Sequence, residues 1–286
     1  MGSDMPNRLL WILLLGAGLA GCGDNQTIVP ERDPYQSPGQ EPLACLPDLD
    51  GRLDADELQT AFAVPVRYLV SPAGETRAVD VVGEVDPAGR RVWDWGADYA
   101  SDQLAVVEVR ELQGQWYAAS FPGGQFVLPF DAGGRIESVH SRDEQGVYLH
   151  GLASAEQHPP EGQTLLPYQT PIQVNRFPLA PGDAWLSVGV VQNGVFRDLP
   201  FSSRDTYEFE VDGAGELALP DVTFTQALRV RTRTTIEPLV GQSTSQRQVS
   251  FFFECFGEVA RATSQTDEPE EDFQTALEVR RLGLLP

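Results

Sequence analysis

Val249-Ser250-Phe251-Phe252-Phe253-Glu254-Cys255-Phe256-Gly257-Glu258-Val259 decides the fold class. Read as a strand, it sets Val249, Phe251, Phe253, Cys255, Gly257 and Val259 on one face, because successive side chains point to opposite sides. The other face carries Phe252, Glu254, Phe256 and Glu258. A sheet with one wet face shows polar residues there, whereas here both faces carry phenylalanine. Phe252 and Phe256 are therefore expected to meet a packed helix, a second layer or a ligand cavity.

The same period of two extends outward in both directions. Val64, Val66, Tyr68 and Val70 alternate, as do Val79, Val81 and Val85. Asp86-Pro87-Ala88-Gly89 turns the chain toward Trp93 and Trp95. Further strands are expected over residues 104–112, 116–121, 126–128, 136–139 and 147–152, each ended by a Gly or Pro turn. Asn193-Gly194 marks a hairpin, Tyr207, Phe209 and Val211 alternate with Glu208 and Glu210, and Asp212-Gly213 marks a second turn. Arg229, Arg231 and Arg233 form a stripe that reads as a solvated face paired with Glu208 and Glu210. Residues 276–285 close the chain as a strand. The expected fold is mainly β, an antiparallel meander forming a curled sheet, half-barrel or sandwich. One short helix, over roughly residues 55–63, is expected near the N-terminus. The turn-rich gap at 156–162 would separate halves 42–157 and 163–286 if the β domain (42–286) divides.

The N-terminal end says how the chain is held. After Arg8, an apolar run from Leu9 to Ala20 is too short to span a bilayer and fits a secretory signal. It ends in Leu19-Ala20-Gly21-Cys22, which resembles the lipobox of bacterial lipoproteins. The resemblance implies removal of residues 1–21, acylation of Cys22 and, with Gly23 rather than Asp next, residence at the outer membrane. Residues 22–41 then read as a flexible tether, having no apolar periodicity. With Cys22 acylated, Cys45 and Cys255 remain in an oxidising compartment, where two leftover cysteines pair.

A second resemblance lies just past the tether. Leu46 to Glu57 is similar to an EF-hand calcium loop with Gly51 at its sixth place. Asp48, Asp50, the Arg52 carbonyl, Asp54 and Glu57 would be the ligands of a weak calcium site. Leu46 at the first place has no side-chain oxygen, and Pro42 and Pro47 oppose an incoming helix. The residues present suffice instead for a capping box, Asp54 capping and Glu57 completing it. That reading is preferred.

Composition narrows the function. The formal charge is −22 and all twenty basic residues are arginine. An acidic surface disfavours nucleic acid, and the absence of lysine removes every Schiff-base or P-loop mechanism. The three histidines are His140, His150 and His158, and no Gly-x-Ser-x-Gly, His-Glu-x-x-His or Cys-x-x-Cys occurs. No catalytic residues are nominated, and His150 reads as a packed or rim histidine. The order Pro178–Trp185, then Gly-Glu-Leu-Ala-Leu-Pro, then Ala-Leu-Arg-Val-Arg resembles envelope lipoproteins, some similar to half-barrel lipoprotein carriers. The expected function is a lipid-anchored, non-enzymatic binding or assembly module with an envelope protein as partner. The alternative is a carrier of lipid or acyl chains whose cavity is lined by aromatics such as Trp93, Trp95, Trp116, Phe126, Phe252 and Phe256. A hydrolase with a site scattered over loops is the third reading.

Overall fold

The computed structural model describes residues 45–58 and 64–283. The signal segment, Cys22 and the tether lie outside the described residues. Six short strands come first: β1 (Val66–Val70), β2 (Arg77–Ala78), β3 (Glu84–Val85), β4 (Arg91–Asp94), β5 (Gln103–Val107) and β6 (Arg110–Glu111). A 3-10 turn, Ala118–Ser120, precedes β7 (Phe126–Pro129), β8 (Ile136–Asp143) and β9 (Gly146–Ser154). Long strands follow: β10 (Leu165–Arg176), β11 (Ala184–Phe196), β12 (Leu199–Ala218) and β13 (Thr223–Pro238). The last are β14 (Thr244–Phe253), β15 (Gly257–Thr266) and β16 (Thr275–Leu282).

These strands form one sheet in the order β5-β1-β16-β15-β14-β13-β12-β11-β10-β9-β8-β7-β6. From β6 to β16 each strand pairs antiparallel with the next in sequence, which is the expected meander. Strand β12 is long enough to take a third partner. Its end, Gly215 to Ala218, runs parallel to β4. Glycine is required there, because a Cβ on Gly215 would stand 2.3 Å from the Arg91 carbonyl oxygen.

Three expectations need correction. The path starts at β5 and ends at β6, which do not pair, although only Glu108 and Val109 separate them. The sheet is therefore open, not the curled half-barrel or sandwich expected. Alternation assigns faces but carries no information on the register stagger that closes a sheet. Secondly, the described residues contain no α-helix. Residues 55–58 form a turn, and the remainder of the expected helix, 59–63, lies outside the described residues. Thirdly, no described helix is long and apolar enough to cross a membrane, and the open sheet is no closed barrel. The expectations of membrane residence and palmitate thus have no support in the described body, and the acylated Cys22 on which they rest lies outside it.

Local turn signals were also redirected. Asn193 has φ +55° but sits in a bulge of β11, and the hairpin turns at Arg197-Asp198, with φ +51° and +63°. Asp212-Gly213 is likewise a register shift inside β12. Residues 116–121, expected as a strand, hold the 3-10 turn.

Both faces of the central strands are buried. Phe251 and Phe253 join Trp93, Trp95, Leu217, Phe224 and Phe273 in one cluster. Phe252, 8 % exposed, belongs to another, with Leu53, Leu149, Ile172, Leu179, Phe209 and Leu228. The N-terminal segment covers this second face: Leu53 is fully buried and exchanges backbone hydrogen bonds of 2.8 and 2.9 Å with Leu179. Phe256 departs from the expectation. Strand β14 ends at Phe253, Cys255 turns with φ +66°, and Phe256 stands on the hairpin 52 % exposed.

Candidate metal centre

The hairpin joining β14 and β15 brings the chain back to the segment that leaves the tether. Cys255 and Cys45 are bridged by a disulfide, and the Cys255 amide donates to the Glu57 carbonyl at 2.8 Å. This closure places Glu254 beside the acidic loop. Asp48, Glu57 and Glu254 each offer a carboxylate oxygen, and the three lie within 4.8 Å of one another. Glu57 and Glu254 are buried, while Asp48 is exposed.

Backbone amides hold the two buried carboxylates in place. The Leu49 amide donates to Glu254 at 2.8 Å, and the Asp54 amide donates to Glu57 at 2.9 Å. No arginine pairs with Glu57 or Glu254 among the ion pairs of the described residues. Burial, with the negative charges of Glu254, Asp48 and Asp54 adding to it, holds the Glu57 carboxyl above its ordinary value, against the Asp54 amide bond that lowers it. Three converging carboxylates are hard oxygen ligands of the kind calcium takes, and the arrangement is consistent with a weak site for such an ion.

The site is not the EF-hand set. Of the expected ligands, the structure brings together Asp48 and Glu57 and replaces the others with Glu254. The Arg52 guanidinium grips Asp54 at 2.6 to 3.1 Å and approaches Asp50 at 3.6 Å, so the Asp54 carboxylate is turned to Arg52 and is not among the three that converge. Only half the capping box forms, Glu57 accepting from the Asp54 amide. Glu254 escaped the sequence reading because about 200 residues separate it from the loop. Its adjacency to a paired cysteine was the available signal.

Calcium should raise the melting temperature. With a dissociation constant of about 10⁻⁴–10⁻³ M, a tenfold excess over that constant would add about 1.4 kcal/mol. Asp48→Ala and Glu254→Gln should abolish the shift, and Asp50→Ala should leave it intact. Thermal melts with calcium and with a chelator check this. An equal loss in Asp50→Ala would restore the EF-hand assignment.

Two other places carry polar groups in unusual settings. His150 Nε2 lies 2.7 Å from Ser141 Oγ on the neighbouring strand, both half-buried, and burial holds the imidazole below its ordinary pKa. Its neighbour His140 is stacked on Phe126, and burial pushes its pKa down to about 3. The serine–imidazole contact is a single pair, not a catalytic constellation by itself. The second place is a cleft of about 540 Å³ between residues 77–82, 94–99 and the β16 end of the sheet. Val79, Val81, Trp95, Phe273 and Val279 supply apolar walls, and Arg77 and Arg281 are its cationic residues.

The arginine stripe divides rather than facing solvent together. Arg233 stays exposed opposite Glu208 at 3.9 Å, whereas Arg229 and Arg231 both bond to Asp212. No family model matches the chain, and neither a curated protein nor a solved structure matches it.

Proposed function

We infer that the chain is an exported binding or assembly module of the bacterial envelope, non-enzymatic and held at the outer membrane by acyl chains on Cys22. The observation that carries this reading is the Cys45–Cys255 disulfide. Such bridges persist in oxidising compartments, so the bond agrees with the export that the leader implies. It also joins Cys45, in the segment that follows the tether, to the hairpin between β14 and β15.

Cys22→Ser should release the protein from the membrane fraction or leave it as an uncleaved precursor. Several acyl chains contribute roughly 0.8 kcal/mol per buried methylene, so the wild-type chain should not wash off in salt. Mature-sized Cys22→Ser protein that still pellets with membranes would refute the anchor.

One observation favours a second reading, carriage of an apolar ligand. The cleft beside β16 has the volume of a small-molecule site and walls of valine, tryptophan and phenylalanine. The ligand would lie on the face of an open sheet, not within a half-barrel.

A further inference from the structure

We propose that this cleft takes a small carboxylate with an apolar tail, of the class of a medium-chain fatty acid, its head recognised by Arg77 and Arg281. The inference rests on the ligand-carrying reading and names the chemistry of that ligand. Arg281 is 1 % exposed, donates to the carbonyls of Trp95 and Ala97, and reaches Asp102 with its other terminal nitrogen. Its Nε has no hydrogen-bond partner. A buried guanidinium donor left unpaired is costly, and a bound acceptor is one way such a group is satisfied.

The pairing of the two guanidiniums points the same way. Arg77 pairs with the same Asp102, so two guanidiniums share one carboxylate. Both also lie over the Tyr99 ring, at 3.9 and 5.1 Å. A ligand carboxylate would supply the second negative charge in a form that guanidinium binds well. The tail would lie along Val79, Val81, Trp95, Phe273 and Val279.

Three aspartates also line the cleft, and all are exposed. Asp80 accepts from the amides of Val82 and Gly83, Asp94 from that of Gly96, and Asp272 is paired with Arg231. They stand where water screens them, and their presence makes an amine-headed ligand the sharpest competitor.

Calorimetric titration of the intact protein with decanoate, decanol and decylamine decides the matter. Decanoate should bind at least tenfold more tightly than either, and Arg77→Gln should remove that advantage while leaving the circular dichroism spectrum unchanged. Val79→Trp, which fills the cleft from its wall, should abolish binding of all three. Equal binding of decanoate and decanol would overturn the carboxylate assignment and leave apolar carriage standing. Tighter decylamine binding would overturn it in favour of the aspartates. No binding of any probe would overturn both.

Discussion

Removing the disulfide, as Cys45→Ala with Cys255→Ala, should lower the unfolding free energy by about 3 to 5 kcal/mol. The bridge spans 210 residues of sequence, and the chain-entropy model gives about 5 kcal/mol for a loop of that order. The loss should come through the unfolded chain, since the native segment keeps other holds. Leu53 still pairs with Leu179, and the Cys255 amide still meets the Glu57 carbonyl. The double mutant should therefore keep the wild-type circular dichroism spectrum while its denaturant midpoint falls. Its calcium response should weaken as well, because Glu254 and Glu57 are held together across the same closure. Urea melts of wild type and double mutant provide the test. A difference below about 1 kcal/mol would mean that the unfolded chain is already compact around this link.

What the sequence disclosed follows from the range over which each signal acts. Alternation is local, so Val66 to Val70, Tyr207 to Val211 and Val249 to Phe253 all read as strands and are strands. Turn chemistry is local too, but a residue suited to positive φ serves a bulge as readily as a hairpin. Asn193 and Asp212-Gly213 went to bulges, while the true tip, Arg197-Asp198, carries a weaker turn signal. The fate of Phe252 and Phe256 shows the same limit. Two-sided phenylalanine correctly demanded cover for Phe252, which Leu53 of the N-terminal segment helps to supply, but not the hairpin turn that frees Phe256. Sites are assembled across long separations and were the least legible. Asp48 and Glu57 were visible as acidic residues, whereas their partner Glu254 depended on knowing where Cys255 lands. The cleft draws on residues 77–82, 94–99 and 272–281, which share no motif.

Trp93→Ala should cost about 3 to 5 kcal/mol, the range for truncating a large buried aromatic. Trp93 is fully buried and packs edge-on against Phe251, centroids 4.8 Å apart, with Trp95 on the same phenylalanine at 5.0 Å. Its indole N–H donates to the carbonyls of Val81 and Val82 at 3.2 and 3.1 Å. The Arg229 guanidinium lies over its ring at 5.1 Å. The side chain therefore ties the irregular segment after β2 to the central sheet through packing, a hydrogen bond and a cation–π contact. Trp93→Phe separates these contributions. It keeps most of the apolar volume and loses one donor, while the Val81 and Val82 carbonyls still accept from Arg229, so its cost should be about 0.5 to 1.5 kcal/mol, that of a single hydrogen bond. Phe256→Ala supplies the control on the same side of the sheet. Its ring touches Phe224 and Phe253 but is half in water, and its loss should cost about 1 kcal/mol or less. Denaturant melts of the three variants should rank Trp93→Ala, Trp93→Phe, Phe256→Ala in falling order of damage. If Trp93→Phe proved as harmful as Trp93→Ala, the hydrogen bond to residues 81 and 82, rather than packing on Phe251, would be what fastens that segment.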